Sequence, residues 1–231
     1  MIMSRIKNLA KDLYFRLPSS MILMFHHVGV NDDTIISSCV LSKEKFESIC
    51  KSYYCITKEV DDCLKKNNII SFTFDDGFTD LYNIAYPIMM QYNIPFTVFV
   101  IEDFIGKPGY MNKEQIRELT LNPLVEIGSH GYSHKILTGM RKEEIGDEIQ
   151  GTKKRLEDTF GVEIKKFAYS HGQYNDSCME FVKSYETAYA ADSKPINFIT
   201  RKRHYAYPRI NMTNDTFEGY IKHMNNFLRN Y

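Results

Sequence analysis

Short apolar runs alternate with longer amphipathic stretches along almost the whole chain. Met21–Val28, Ile69–Phe74, Phe96–Ile101, Val125–Gly128, Ile164–Tyr169 and Ala188–Ala191 are runs of strand length. Phe96–Ile101 is apolar apart from Thr97, the pattern of a strand covered on both faces. Between these runs the spacing turns helical. Thr79–Tyr92 places Leu81, Ile84, Ala85, Ile88 and Met89 on one stripe, and Arg141–Phe160 does so with Ile145, Ile149, Leu156 and Phe160. Ser42–Lys51, Asn112–Leu121, Asp176–Tyr185 and Thr213–Leu228 are further predicted helices, with Ser42 as an N-cap. Gly161 is the expected C-cap of the longest helix. Strand and helix in alternation predict an α/β fold with a parallel sheet. About seven such units in one domain predict a closed or partly closed barrel, whose chemistry should collect at the C-terminal ends of the strands.

Composition narrows the field. The chain has 231 residues, 43% hydrophobic and 25% charged, with 29 basic and 29 acidic side chains. A disordered chain and a membrane bundle are excluded, and a balanced charge argues against nucleic acid as a partner. Five cysteines (Cys39, Cys50, Cys55, Cys63 and Cys178) form no CxxC pair and are expected to be reduced thiols. No linker or repeat interrupts the chain. Residues 1–20 read as a lead-in, with a short amphipathic helix over Leu9–Leu17, and residues 21–231 as one domain. The lead-in has no continuous apolar core followed by a cleavage site, and no run approaches the roughly 20 apolar residues that a membrane-spanning helix needs. A cytoplasmic location is expected. Arg5, Lys7, Lys11 and Arg16 alternate with apolar residues, so a weak membrane-surface association of the lead-in is a further expectation.

Polar clusters do follow the strands. Thr73-Phe74-Asp75-Asp76-Gly77 places two adjacent carboxylates after a buried run, which is costly unless they are paired or meet a cation. A helix-capping Asp before a turn glycine is the plainer reading of that segment alone. Gly128-Ser129-His130-Gly131-Tyr132-Ser133-His134 follows another strand, with two histidines four apart. Two imidazoles and one carboxylate make a three-ligand site that leaves positions for water and substrate. The donor types favour Zn²⁺, with Co²⁺, Ni²⁺ or Mn²⁺ as alternatives.

The TFDDG segment at Thr73–Gly77 and the HxxxH segment at His130–His134 together resemble the first two motifs of the polysaccharide deacetylases, carbohydrate esterase family 4, also called the NodB homology domain. The resemblance runs from Met21 to about Met212. It implies a distorted (β/α) barrel of about seven parallel strands and a divalent metal ion. The implied activity is removal of acetyl groups from N-acetylated sugars. By the same resemblance Asp75 is the catalytic base, and Asp76, His130 and His134 hold the metal. The family's Ser or Thr after the first histidine is here Gly131, so a loop-bracing hydrogen bond falls to Ser129 or Ser133. Phe167–Gly172 resembles the third motif, an Arg followed by x-Pro-Tyr-Gly, with Ala168 in the Arg position and His171 in the Tyr position. The resemblance puts the oxyanion contact at the backbone of His171, with Tyr169 beside it in the substrate region. The missing Arg would normally pair with the catalytic Asp; Arg209, in Tyr207-Pro208-Arg209-Ile210, is the expected replacement.

A general acid completes the set. The late candidate His223 lies among Lys222, Asn225 and Asn226 and reads as a surface residue. Leu23-Met24-Phe25-His26 has the family's Leu-x-x-His spacing at the end of the first strand. This resembles the permuted branch typified by poly-N-acetylglucosamine deacetylases, with His26 as acid. His27 then points away by strand alternation and belongs to the cleft wall. The implied function is metal-dependent deacetylation of an amino sugar in a polysaccharide or glycan precursor. A metal-dependent amidohydrolase or imidase acting on a non-sugar amide, and an inactive carbohydrate-binding homologue, are the rival readings. The oligomeric state is not legible.

Overall fold

The computed structural model describes residues 17–30 and 37–229. The expected helix at Leu9–Leu17 lies almost wholly outside the described residues, and so does the basic face of the lead-in. The strands are β1 (Met21–Phe25), β2 (His27–Val28), β3 (Val40–Leu41), β4 (Ile70–Phe74), β5 (Phe96–Val100), β6 (Val125–Ser129), β7 (Lys166–Ala168), β8 (Thr187–Ala190), β9 (Tyr207–Pro208) and β10 (Ile210–Asn211). Eight of them make one sheet in the order β10-β1-β4-β5-β6-β7-β8-β9, and every pairing is parallel.

The closure is made by residues 207–211. Their first half pairs with β8 through Tyr189↔Tyr207 and Ala190↔Pro208. Their second half pairs with β1 through Leu23↔Ile210 and Met24↔Asn211. One segment, interrupted at Arg209, therefore bridges the first and last strands and nearly closes the barrel. Counted once, it makes the seventh stave. β1 does not run on to Val28 as the apolar run suggested. The chain bends at His26, and His27–Val28 pairs instead with Val40–Leu41 in a small separate ribbon.

Side-chain alternation sorts the strands into two layers. Met21, Leu23, Phe25, Phe72, Phe74, Phe96, Val98 and Phe167 belong to the main core, which the surrounding helices cover. Ile22, Phe99, Ala168, Tyr189 and Tyr207 belong to a second, smaller cluster inside the barrel. Phe99 fills that interior so tightly that a Cβ at Gly128 would stand 2.6 Å from its ring. Lower down, the buried Lys166 is paired with Glu126 and Asp61.

The helices follow from their signals. Ser42 caps Lys43–Tyr53 by accepting from the Lys45 N–H, and Asn112 with Gln115 forms a capping box on Lys113–Thr120. Gly161 ends Thr152–Phe160 in the left-handed conformation at φ 69°. Two of the predicted helices are interrupted by π-turns, at Leu81–Ala85 and Asp147–Gly151. The final helix, Phe217–Leu228, starts four residues later than its sequence pattern suggests, because Thr213 and Thr216 bond each other in a turn. No helix among the described residues is long and apolar enough to cross a membrane.

Candidate active site

The inward parity of the strands carries on past their C-terminal ends and delivers the site. Thr73 faces inward, and Asp75 follows it on the same side. The register Met24↔Thr73 extends so that His26 stands beside Asp75, whose N–H donates to the Phe25 carbonyl at 2.9 Å. Gly128 on β6 leads to His130 in the same way, and Tyr207 leads to Arg209.

Arg209 is fully buried and grips the buried Asp75 with both arms. Nη1 lies 2.5 Å from Oδ1 and Nη2 lies 2.7 Å from Oδ2. Its remaining donors reach Thr73 Oγ1 at 3.2 Å and the Ala190 carbonyl at 3.4 Å, and the guanidinium covers the face of Phe99. Burial by itself would raise the Asp75 carboxyl; the Arg209 charge and then His130 outweigh it and hold the group well below the usual carboxylate range. Asp75 is therefore an ionised acceptor at any ordinary pH.

Asp76, His130 and His134 converge next to this pair, with one donor atom from each lying within 4.8 Å of the others. His130 Nε2 is 3.4 Å and His134 Nε2 is 3.3 Å from Asp76 Oδ1. His130 donates its Nδ1–H to the Ala168 carbonyl at 2.8 Å, which leaves Nε2 as a bare lone pair. Burial pushes the His130 imidazole down to about 3, so the ring is neutral. Asp76 Oδ1 is buried with no hydrogen-bond partner among the described residues. Two acceptors thus face each other at 3.4 Å. That arrangement is unfavourable until a cation separates them, so the residues fit a divalent metal ion. Burial first, and the neighbouring Asp75 charge after it, lift the Asp76 carboxyl to about 6, against the lowering effect of His26.

The backbone is set for this purpose. Asp76, His134 and His171 have φ of 70°, 58° and 56°, a region that non-glycine residues enter at a cost of order 1–3 kcal/mol. Gly77 at φ 77° packs against Val100, where a Cβ would be crowded at 3.3 Å.

The other predicted residues fall as follows. His26 sits at the bend after β1, with Nδ1 buried and without a partner among the described residues. His27 is turned away, donating Nδ1–H to Asp80 at 2.6 Å and stacking on Phe78 at 3.7 Å. His171 is exposed at the rim, where its Nε2 donates to the His134 carbonyl at 3.1 Å. Tyr169 is corrected. Alternation sends Ala168 inward and Tyr169 outward, so Tyr169 is fully buried in the main core and donates its hydroxyl to the Tyr205 carbonyl. No part of that side chain is left to meet a substrate.

Two side chains that the sequence reading passed over hold the site's neighbours. Asp80 fixes His27 and also accepts from the Val28 N–H at 3.0 Å. Glu148 accepts from the loop between the two histidines. Asp80 stands five residues after Asp75 at the start of a helix, a position that could have flagged it. Glu148 lies in a long charged helix and carries no local signal.

Comparison with known proteins gives the family and agrees with the fold. The sequence model described as polysaccharide deacetylase matches residues 56–190, more than half of the chain. The protein YxkH of Bacillus subtilis (strain 168), which carries the same family name, is 25% identical over 218 residues, covering 88% of this chain and 76% of its own. A poly-beta-1,6-N-acetyl-D-glucosamine N-deacetylase of Staphylococcus aureus (strain MRSA252) is 27% identical over 167 residues, 67% of this chain. This chain spans 58% of that relative's length. Among solved structures, the Streptococcus pyogenes deacetylase PplD superposes with a TM-score of 0.79 at 19% identity, covering 90% of this chain and 99% of its own. IcaB from Ammonifex degensii does so at 0.74, again with 19% identity, covering 90% and 97%. These two share the fold.

Proposed function

This chain belongs to the polysaccharide deacetylase family, and we propose that it is a metal-dependent hydrolase that removes the acetyl group from an N-acetylated amino sugar in a polysaccharide or glycan precursor. The observation that carries the reading is the Asp75–Arg209 pair set against the unpaired acceptors of Asp76, His130 and His134. The name of the staphylococcal relative supports N-acetylglucosamine as the sugar.

In this reading Asp76, His130 and His134 hold one divalent ion, Zn²⁺ by donor type, with Co²⁺, Ni²⁺ or Mn²⁺ as alternatives. Such an ion supplies Lewis acidity, polarising a carbonyl and lowering the pKa of water toward roughly 7. Asp75 takes the proton of the attacking water. Arg209 keeps that carboxylate ionised and fixes its plane, because a bidentate guanidinium allows little rotation. The water oxygen bonds to the acetamide carbon, and backbone N–H at the His171 turn contributes to holding the developing oxyanion. His26 gives its proton to the sugar nitrogen as the carbon–nitrogen bond breaks, leaving acetate and a free amine. An amine leaves poorly unless protonated, so this step needs an acid on the side of the cleft that β1 provides. His27, tied to Asp80, forms wall rather than acid.

The test is acetate release from a panel of N-acetylated sugars, including oligomers and lipid-linked forms, run against cyclic ureides and imides with and without chelator. Chelator-sensitive acetate release from a sugar supports the proposal. Turnover confined to imides would assign the site to non-sugar amides, and no turnover of any compound by metal-loaded protein would point to an inactive homologue.

A further inference from the structure

The loop that carries both candidate metal histidines has a partner for nearly every backbone group. His130 N–H donates to the Val100 carbonyl, and the His130 carbonyl accepts from Ser170 Oγ. Gly131 N–H donates to Ser129 Oγ at 3.3 Å, and its carbonyl accepts from Glu102 N–H. The Tyr132 carbonyl accepts from Asp103 N–H, and the His134 carbonyl accepts from His171. All of these partners come from strand ends and loops at the same end of the barrel. The exception is Glu148, which reaches the loop from the helical layer.

Glu148 is 5% exposed, and no ion pair to it is found among the described residues. Its Oε2 accepts from Tyr132 N–H at 2.8 Å and from Ser133 N–H at 3.0 Å, and its Oε1 accepts a short bond from Ser133 Oγ. Three donors on two successive residues thus occupy both oxygens of one buried carboxylate. Such charge-assisted bonds are about twice as strong as neutral ones. Glu148 lies in the π-turn Asp147–Gly151, and the extra residue in such a turn shifts a side chain out of the helix's ordinary register. The fit is close: Gly131 has φ 82°, and a Cβ there would stand 3.2 Å from Glu148 Oε2. Tyr132 is clamped from the other side by the Arg155 guanidinium, 5.1 Å from its ring centroid, which Glu102 and Asp147 hold in turn.

We infer that Glu148 is a positioning residue for the metal centre: through Tyr132 and Ser133 it fixes the span between His130 and His134, and so sets the distance and angle at which the two imidazoles present Nε2. The inference rests on the metal-binding reading given above. Its chemistry differs from that of a ligand, since the carboxylate's bonds are spent on the loop.

The experiment is a Co²⁺ titration of the full chain, wild type against Glu148→Gln, following the visible absorption bands that report ligand geometry. The thermal midpoint of the metal-free protein is recorded alongside. Gln keeps the size but loses the charge and one acceptor: with its carbonyl oxygen toward the two backbone N–H groups, its N–H₂ meets Ser133 Oγ, which can then no longer donate to it. Loss of partners that orient metal ligands typically lowers affinity 10–100-fold. We expect a loss in that range, with altered band positions and a folded metal-free variant. Should Glu148→Gln fail to fold, Ser133→Ala decides, because it removes one donor and leaves both backbone bonds. Its Co²⁺ affinity should fall below that of the wild type, with shifted band positions. Wild-type affinity and an unchanged spectrum in a folded variant would overturn the inference and leave the metal reading intact. Absence of Co²⁺ and Zn²⁺ binding by the wild type would overturn both.

Discussion

Arg209 and Asp75 lie 134 positions apart in the chain, yet they make a two-armed ion pair inside the barrel, at 2.5 and 2.7 Å. Arg209 interrupts the segment that joins β8 to β1, so the residue that completes the ring of strands is also the one that holds the carboxylate. Removing it leaves a buried, uncompensated charge. Arg209→Ala should destabilise the protein by about 3–5 kcal/mol and abolish turnover, as read by denaturant unfolding and acetate release. Arg209→Lys should not restore activity, because an ammonium lacks the planar fork. Wild-type turnover in Arg209→Ala would remove the pair from the mechanism.

His130→Ala should lose metal and turnover together, because it removes the ligand whose tautomer the Ala168 carbonyl fixes. Metal content after gel filtration is the measurement. Full metal occupancy in the variant would place the ion elsewhere.

Metal affinity should follow one proton. Asp76 is lifted to about 6, so below that pH it holds a proton that a cation must displace, while burial keeps His130 unprotonated down to about 3. Burial and then His171 also lower His134. The sign follows: a raised carboxyl weakens binding as pH falls through about 6, and His130, depressed to about 3, adds no competition there. Zinc competition titrations between pH 5 and 7.5 should give an affinity that drops roughly tenfold per unit below pH 6, where one proton is released per ion bound, and levels off above it. A slope near two or three would mean that the histidines titrate with it.

His26→Ala should separate leaving groups. A general acid contributes on the order of 10²–10⁴ in rate where the leaving group needs a proton. Amide hydrolysis should fall in that range, while hydrolysis of an activated aryl acetate, whose phenolate leaves unaided, should change little at equal metal content. Equal losses on both substrates would deny His26 the acid's role.

The sequence made the strand ends legible because their chemistry is dense. Asp75-Asp76 and His130/His134 stand out after apolar runs; period-two alternation places Asp75 and His130 inside, and left-handed backbone at φ 70° and 58° turns Asp76 and His134 to meet them. The same alternation should have turned Tyr169 outward: it follows Ala168, and only one of two successive residues can face the interior. The closing segment was not read as strand because Tyr207–Pro208 and Ile210–Asn211 are two residues each, too short for any period to show. Val40–Leu41 is silent for the same reason, and the six-residue helix Val60–Lys65 completes fewer than two turns, too few for a helical stripe to show. The apolar run overstates β1 because His27 and Val28 do extend, but into a different ribbon. Arg209 was reached only as a replacement for an absent residue, since nothing in its local pattern distinguishes a buried arginine from a solvated one. Glu148 has no such clue at all; its meaning comes from a π-turn and a loop 15 residues away.

The central claim is that Asp75 takes the proton in a metal-dependent deacetylation, and acetate release from a β-1,6-linked N-acetylglucosamine oligomer tests it most directly. Zinc-loaded wild type and zinc-loaded Asp75→Asn are run side by side with metal content measured in both. The account predicts release by the wild type and a loss of about 10²–10⁴ in the variant at equal zinc occupancy. Equal rates in the two proteins, or no acetate from zinc-loaded wild type, would contradict it.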